Sequence, residues 1–549
     1  MNTKFYFGLL AAAALSMTAC SNEDQPNNGP SEEGTHYMSV KIRTAGLGGT
    51  RAAEEGNPAF EQGVGTESTV TAANIRFLFF DGGGNAFTMV QNGVNGTVRT
   101  NMVTPTEITT TNGQGNSEAE ITGTLVLGTG DGGYKGMTPT QVLVVANGDE
   151  NRLKAIENQN LETVLTRTAT TPTAWPPTPG FLMTSSVYYG ADGKRVAAVN
   201  IANNIKTTKK DAEDAPAVLY IERAAAKVRA TYADSFDVQS KAADGTVSNP
   251  GSFTFFDVEN GEIVEKTTQF TAEINGWQLL NKAGQTAAFK QLPATLADAT
   301  TLLGANNANN NWVWNDEPRH RSYWSNSNAG TAWIAPYTNA YGTSPLLERD
   351  GAYANQTYNS ANATANVEYC YENTGYTNVT EFARGNYATA ITIKATIKKD
   401  GAAIDMYRVA GEYYSKAAME KLVKTSYIAS HSDLTEDRLE VRLSDNTALD
   451  NTYTPVVYAD NSPTGTSMTQ FATMLWWKNG VTSYHLNIMH LNGKPGVVRN
   501  HIYDYKIDGI IGLGVPGNEP DTPELSETYL AARLYILDWH VVSNNITIQ

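Results

Sequence analysis

The sequence predicts an all-β protein built as two β-sandwich domains with a few short helices. Three observations point there. Short runs of alternating apolar and polar residues recur along the 549-residue chain, separated at close spacing by clusters of Gly, Asn, Asp and Pro. Helical periodicity is scarce, confined chiefly to residues 152–156, 161–165 and 415–427. Aromatic residues make up 9% of the chain, too many for a disordered polymer, so it folds.

The elements follow in order. Residues 1–19 read as a signal peptide: Lys4 precedes an apolar run from Phe5 to Leu15, and small residues follow before Cys20. The run is too short to span a bilayer comfortably. The stretch Leu15-Ser16-Met17-Thr18-Ala19-Cys20 resembles a bacterial lipobox, which implies a lipid (palmitate among its acyl chains) on Cys20. Ser21-Asn22-Glu23-Asp24 resembles the short acidic tract that sends lipoproteins of the Bacteroidetes to the outer face of the outer membrane. Residues 21–35 are polar and aperiodic, a flexible tether.

The first strand is expected at His36–Thr44, half-buried, with Met38, Val40 and Ile42 facing a core and Ser39, Lys41 and Arg43 facing out. Further strands are expected at 75–80, 123–127, 141–146, 218–221, 253–256, 391–397 and 484–489. Residues 203–216 are charged, Pro-terminated and poor in apolar side chains, so a domain boundary is placed there. The expected organisation is a propeptide over 20–51, a first sandwich over 52–214 and a larger second sandwich over 215–549. Residues 306–339, crowded with Asn, Trp and Ser, are expected to form a long structured loop.

Composition excludes some functions. Charged residues are 17% of the chain, against about a quarter in an average globular protein, so solubility rests on Thr, Asn, Ser and Gly, as suits a cell exterior. The net charge is −16, and the one short basic cluster, Lys206 with Lys209 and Lys210, runs at once into Asp211, Glu213 and Asp214. Nucleic acid is not an expected partner. With Cys20 assigned to lipid, Cys370 stands alone and is read as a small buried hydrophobe.

Signals of catalysis are sparse. Gly128-Thr129-Gly130-Asp131-Gly132-Gly133 has dinucleotide-loop spacing, but a strand and not a helix follows it, so it is read as a glycine loop. Asp81-Gly82-Gly83-Gly84-Asn85 lacks the alternating ligands of a calcium loop and reads as a hairpin turn. His485 and His490 stand five apart on one strand and so face opposite ways, with His485 expected in solvent. No enzyme activity, catalytic residue, cofactor or metal is expected.

Several stretches together resemble the Bacteroidales fimbrillin family, the type V pilins, and most of all the shaft subunit of short Mfa-type fimbriae. They are Leu219-Tyr220-Ile221-Glu222-Arg223-Ala224-Ala225-Ala226-Lys227-Val228, Met183-Thr184-Ser185, Ile274-Asn275-Gly276-Trp277, Arg321-Ser322-Tyr323-Trp324, Val498-Arg499-Asn500-His501-Ile502-Tyr503 and Leu537-Asp538-Trp539, with 141–147 and 369–374. The resemblance implies two transthyretin-like β-sandwiches, export as a lipoprotein, cleavage by an Arg-specific surface protease in a loop after the first strand, and polymerisation by donor-strand insertion. The matching cleavage position is between Arg51 and Ala52, with glycines on one side and Glu54, Glu55 and Gly56 on the other.

Strand physics supplies the mechanism that such cleavage would start. Removing the first strand with Met38, Val40 and Ile42 would leave an apolar groove edged by unpaired backbone groups. Re-covering three such side chains is worth on the order of 5 to 9 kcal/mol. The expected donor lies at the C-terminus, about 529–549, through Leu534, Tyr535, Ile536, Leu537, Trp539, Val541 and Val542, behind a stretch rich in Gly, Pro and acid. The alternative for this strand is pairing within its own domain.

The expected partners are copies of the chain itself, anchor and tip fimbrial subunits, the protease, host or bacterial surface ligands, and the outer membrane through the precursor's lipid. The expected place is the cell surface, with roles in adhesion and biofilm formation. Two other readings stand beside it. A monomeric lipid-anchored adhesin or glycan-binding lipoprotein would use exposed aromatics, Trp312, Trp314 and Trp324 being candidates. A secreted β-rich hydrolase would need an acid pair facing across a cleft.

Overall fold

A computed structural model describes residues 36–44, 59–60, 70–93, 96–105, 107–112, 119–127, 137–170, 177–190, 192–280, 282–283, 285–295, 297, 320–321, 347–348, 367–374, 389–445, 452–460, 462–490, 494–516, 529–537 and 540–543. The fold is all-β, with several sheets and short helices. The lipobox with Cys20, the scissile pair Arg51 and Ala52, the glycine loop 128–133, Trp312, Trp314, Trp324 and Trp539 lie outside the described residues.

The first sheet contains β1 (His36–Thr44), β2 (Ile75–Phe80), β3 (Met102–Val103), β4 (Glu107–Asn112), β5 (Ala119–Leu127), β6 (Gln141–Ala146), β7 (Met183–Ser185) and β8 (Ala217–Arg223). Side by side they run β3-β2-β6-β7-β8-β1-β5-β4. Its central strands are near-continuous apolar runs, Ile75-Arg76-Phe77-Leu78-Phe79-Phe80 and Gln141-Val142-Leu143-Val144-Val145-Ala146, as a sheet covered on both faces requires. Helices α1 (Glu150–Ile156) and α2 (Leu161–Leu165) each start on an Asx cap, Asp149 and Asn160, and bury Ile156 and Val164 in this core.

The second sheet contains β9 (Ala225–Tyr232), β10 (Ser235–Lys241), β11 (Thr271–Leu280), β12 (Val367–Tyr371), β13 (Ala390–Lys399), β14 (Val481–Asn487), β15 (Ile502–Ile511), β16 (Tyr529–Leu537) and β17 (His540–Ser543). An eight-stranded sheet runs from Glu262–Thr268 at one edge to Leu439–Asp445 at the other. The two share a core in which Trp277, Ile391 and Tyr503 of the second sheet meet Phe255, Met406 and Trp477 of the eight-stranded one. On the far side of that sheet lies a further helix, Lys416–Ile428, whose N-cap Ser415 accepts from Ala418 N.

Four sequence expectations change. The charged segment at the expected domain boundary contains a helix, α3 (Lys209–Asp214), because Thr208 caps it by accepting from Asp211 N. The chain passes from the first sheet to the second at Ala224 rather than at 214/215: β8 pairs with β7 and β1, and β9 pairs with β12 and β15. The strand expected at 484–489 stops at Asn487 and a separate short strand, Met489–His490, follows. His485 is only half-buried but is not free in solvent, since its Nδ1 lies 2.8 Å from the Thr392 hydroxyl.

Cys370 is buried in the second core, and burial pushes its thiol up to about 12. Asp81 closes the expected hairpin turn: one carboxylate oxygen accepts from Gly83 N and Asn85 N.

Candidate functional site

β1 is an interior strand of the first sheet. On one side it runs parallel to β8, with Val40 opposite Ala217, Lys41 opposite Val218 and Ile42 opposite Leu219. On the other it runs antiparallel to β5, with Met38 opposite Leu125, Ser39 opposite Thr124, Val40 opposite Gly123 and Ile42 opposite Ile121. At its start Tyr37 and Met38 also pair with Lys206 and Ile205. Both edges of β1 are therefore occupied by its own chain, and without it β8 and β5 would face each other across a gap one strand wide.

The faces of β1 are as closed as its edges. Met38 and Val40 are 0% exposed and pack among Leu125, Leu219 and Ile221. Ser39, expected to face solvent, is 1% exposed, so the strand is buried on both faces here and not half-buried. The cover is α3, which packs along β1, buries Ala212 and lies outside the Met38–Val40 core. The Ser39 hydroxyl reaches Gly123 O at 3.5 Å.

The expected donor residues belong to the second sheet. β16 pairs antiparallel with β15 of its own second sheet, with Leu534 opposite Tyr505, Tyr535 opposite Asp504, Ile536 opposite Tyr503 and Leu537 opposite Ile502. β17 returns along it, placing Val542 opposite Ile536, and Val541 pairs with Ala59. The alternative pairing within the chain is thus the arrangement in this structure. Among the described residues, Tyr529–Leu534 is paired along one edge only.

A polar joint that sequence reasoning missed lies between the two sheets. The Arg223 guanidinium, at the end of β8, donates to Asn500 Oδ1 at 3.1 Å, and Asn500 N donates to Ala225 O at 2.7 Å. Lys290 and Glu222, both 1% exposed, pair at 3.2 Å. Arg499 is 0% exposed and donates to Glu372, to the carbonyls of Ala287 and Ala288 and to the Thr286 hydroxyl. Buried charge survives only when satisfied in this way. Arg499, Asn500, Glu372, Glu222 and Arg223 all lie in the family-like stretches, but nothing in the sequence pairs them.

Two cavities, of about 780 and 600 Å³, open elsewhere. The lining of the larger holds one carboxylate, Asp244, and that of the smaller one, Glu162, so neither presents a facing acid pair. Among the described residues no group of three His, Cys, Asp or Glu converges as metal ligands.

Residues 476–545 match the family model described as major fimbrial subunit protein type IV, fimbrillin, C-terminal. The matched region carries the buried Arg499 and the whole C-terminal strand pair, and it includes two of the stretches that suggested the resemblance. The chain thus resembles the fimbrillins, and the match supports a role as a fimbrial subunit. No curated protein matches in sequence. Among solved structures, similarity is found to a candidate cell adhesion protein from Parabacteroides distasonis ATCC 8503 (TM-score 0.36, 12% identity, covering 90% of this chain and 96% of that one). It extends to the C-terminally truncated tip fimbrial protein Mfa3 from Porphyromonas gingivalis (TM-score 0.30, 11% identity, 92% and 100%). A fimbrial assembly protein from Parabacteroides distasonis ATCC 8503 is also similar (TM-score 0.26, 11% identity, 78% and 98%).

Proposed function

We propose that this chain is a structural shaft subunit of a surface fimbria: exported as a lipoprotein through Cys20, cut between Arg51 and Ala52, and polymerised when a neighbour's C-terminal strand fills the groove that β1 leaves. The observation that carries the reading is the place of β1. An interior strand covered on both faces is joined to the next strand of its sheet through a single segment, residues 45–74, that contains a candidate Arg cleavage position. One cut there makes the strand a separate peptide, held by its ladders and by Met38 and Val40. Its loss exposes two rows of backbone donors and acceptors together with apolar wall residues, and both demand another strand. Strand addition meets both needs at once. Association with copies of itself and with anchor and tip subunits at the cell surface follows, and adhesion and biofilm formation would follow from the fibre.

The test is Arg51→Ala. The variant is expected to fold and stay monomeric, because β1 keeps its groove closed. Wild-type ladders of high molecular weight in unheated detergent gels of the variant would overturn the mechanism.

One observation favours the second reading, a monomeric lipid-anchored adhesin: β16 is already paired in its own chain. In that case the protein isolated from cells keeps residues 20–51 and forms no ladder at any concentration.

A further inference from the structure

The groove constrains its occupant more tightly than apolar character alone. Position 39 must be small, because it is closed in under α3 with 1% exposure, and positions 38 and 40 must be apolar, because both are fully buried in the core. Position 42 pairs with Leu219 and Ile121, and position 41, a lysine, pairs with Val218 and Thr122.

Sliding the strand Tyr529–Leu537 through this template leaves one frame with apolar residues at 38 and 40 and a small one at 39. Tyr529-Leu530-Ala531-Ala532-Arg533-Leu534 set on Tyr37-Met38-Ser39-Val40-Lys41-Ile42 matches tyrosine with tyrosine, Met38 with Leu530, Ser39 with Ala531, Val40 with Ala532, Lys41 with Arg533 and Ile42 with Leu534. The other frames fail on physical grounds. Setting Leu534 on Val40 puts Arg533 at the closed position 39, a buried charge with no group provided for it. Setting Leu534 on Met38 puts Tyr535 at the closed position 39. Setting Tyr535 on Met38 puts Ile536 at position 39, overfilling it. The favoured segment is also the part of β16 paired along one edge only among the described residues.

We infer that Tyr529–Leu534 of a second copy of this chain takes the places of Tyr37–Ile42 one for one, running in the same direction as β1, parallel to β8 and antiparallel to β5. This rests on the donor-strand reading above and moves the centre of the donor from Leu534, Ile536 and Leu537 to Leu530, Ala531 and Ala532. The small residue Ala531 is the register mark: within Tyr529–Leu537 only this frame sets a small side chain at the closed position 39 between two apolar ones.

Cysteine pairs test the register in the full-length chain after export and cleavage. Thr124 faces position 39 across the β5 ladder, and opposed residues in such a ladder lie about 4.5–5.5 Å apart at Cα, within disulfide reach. Thr124→Cys is combined in turn with Ala531→Cys, Tyr535→Cys and Ile536→Cys, and the polymers are mildly oxidised. Reduction-sensitive covalent ladders are expected with Ala531→Cys alone. Ladders with Tyr535→Cys or Ile536→Cys instead overturn the register and leave the donor reading standing. Polymers that form but cross-link in no combination overturn both.

A second pair of variants guards against a cysteine that blocks assembly. Ala531→Trp is expected to lower polymer yield roughly tenfold or more with the monomer's melting unchanged, and Tyr535→Trp to leave the yield nearly intact. The reverse order overturns the register.

Discussion

Arg499 and Glu372 form a buried two-pronged ion pair. Nε of the arginine lies 3.1 Å from Oε2 of the glutamate and Nη2 lies 3.0 Å from Oε1, and neither side chain is exposed. The remaining donors of Arg499 go to Thr286, Ala287 and Ala288, and Ala288 O also accepts from the Thr184 hydroxyl of β7. A single guanidinium thus stands between the strand that feeds β15 and the neighbourhood of the first sheet. Through Asn500 and Arg223 the same turn also reaches the end of β8, the wall of the β1 groove. Groove and C-terminal strand are held on one connected framework.

Arg499→Ala is expected to destabilise the folded chain by about 3–5 kcal/mol, because Glu372 would be left charged and dry. The double variant Arg499→Met with Glu372→Leu is expected to recover much of that loss. Chemical denaturation of the two singles and the double gives the coupling between them. Single variants within about 0.5 kcal/mol of wild type would show that the joint is not closed to water.

Met38→Ala separates precursor from product. In the uncleaved chain Met38 is fully buried, so the truncation is expected to cost about 2–5 kcal/mol in denaturant unfolding. In fibres assembled after cleavage the residue is gone, and their dissociation is expected to match wild type. Equal losses in both states would mean that β1 stays in place in the fibre.

Alkaline pH should loosen the chain through groups in β12. Burial raises Cys370 from 9.0 to about 12 and Tyr371 from 10.0 to about 12. A folded-state value above the unfolded one means that the native chain keeps a proton the unfolded chain has released. This contribution is therefore complete below about pH 9 and is lost as pH rises towards 12. Stability measured from pH 8 to 11 is expected to fall, with a shallower fall in Cys370→Ala, and thiol labelling of the native chain at pH 8 is expected to be slow. Rapid native labelling would contradict the burial.

Deleting residues 529–549 is expected to abolish polymers while the monomer keeps a cooperative melting transition. β16 lies outermost but for β17 and Ala59–Phe60 on the β15 edge, so its removal uncovers a ladder without opening the core around Trp277. Loss of cooperative melting in the truncated monomer would make the strand a structural member of its own sheet and weaken the donor assignment.

Much of the architecture was legible from local pattern. Ile75–Phe80, Gln141–Ala146 and Leu161–Leu165 begin and end where periodicity and turn residues put them. Failures came where the deciding contact is remote. Sequence pattern marks a strand at 218–221 but none over Ala225–Tyr232, and only pairing with β1 on one side and β15 on the other divides Ala217–Arg223 from Ala225–Tyr232 at Ala224. Ser39 reads as solvent-facing because alternation says nothing of a helix contributed by residues 209–214. Arg499 and Glu372 are separated by 127 positions, and no spacing rule joins them. The C-terminal segment was recognisable as a strand, but the frame proposed for it needed the burial of Met38, Ser39 and Val40.

The most direct test of the central claim, that the first strand is cut away before assembly, is the N-terminal residue of subunits in fibres purified from cells. Mass spectrometry of the N-terminal peptide is expected to find a free amine on Ala52, with Met38, Val40 and Ile42 missing from the fibre. A lipid-blocked N-terminus at Cys20 in intact, polymerised subunits would contradict the account.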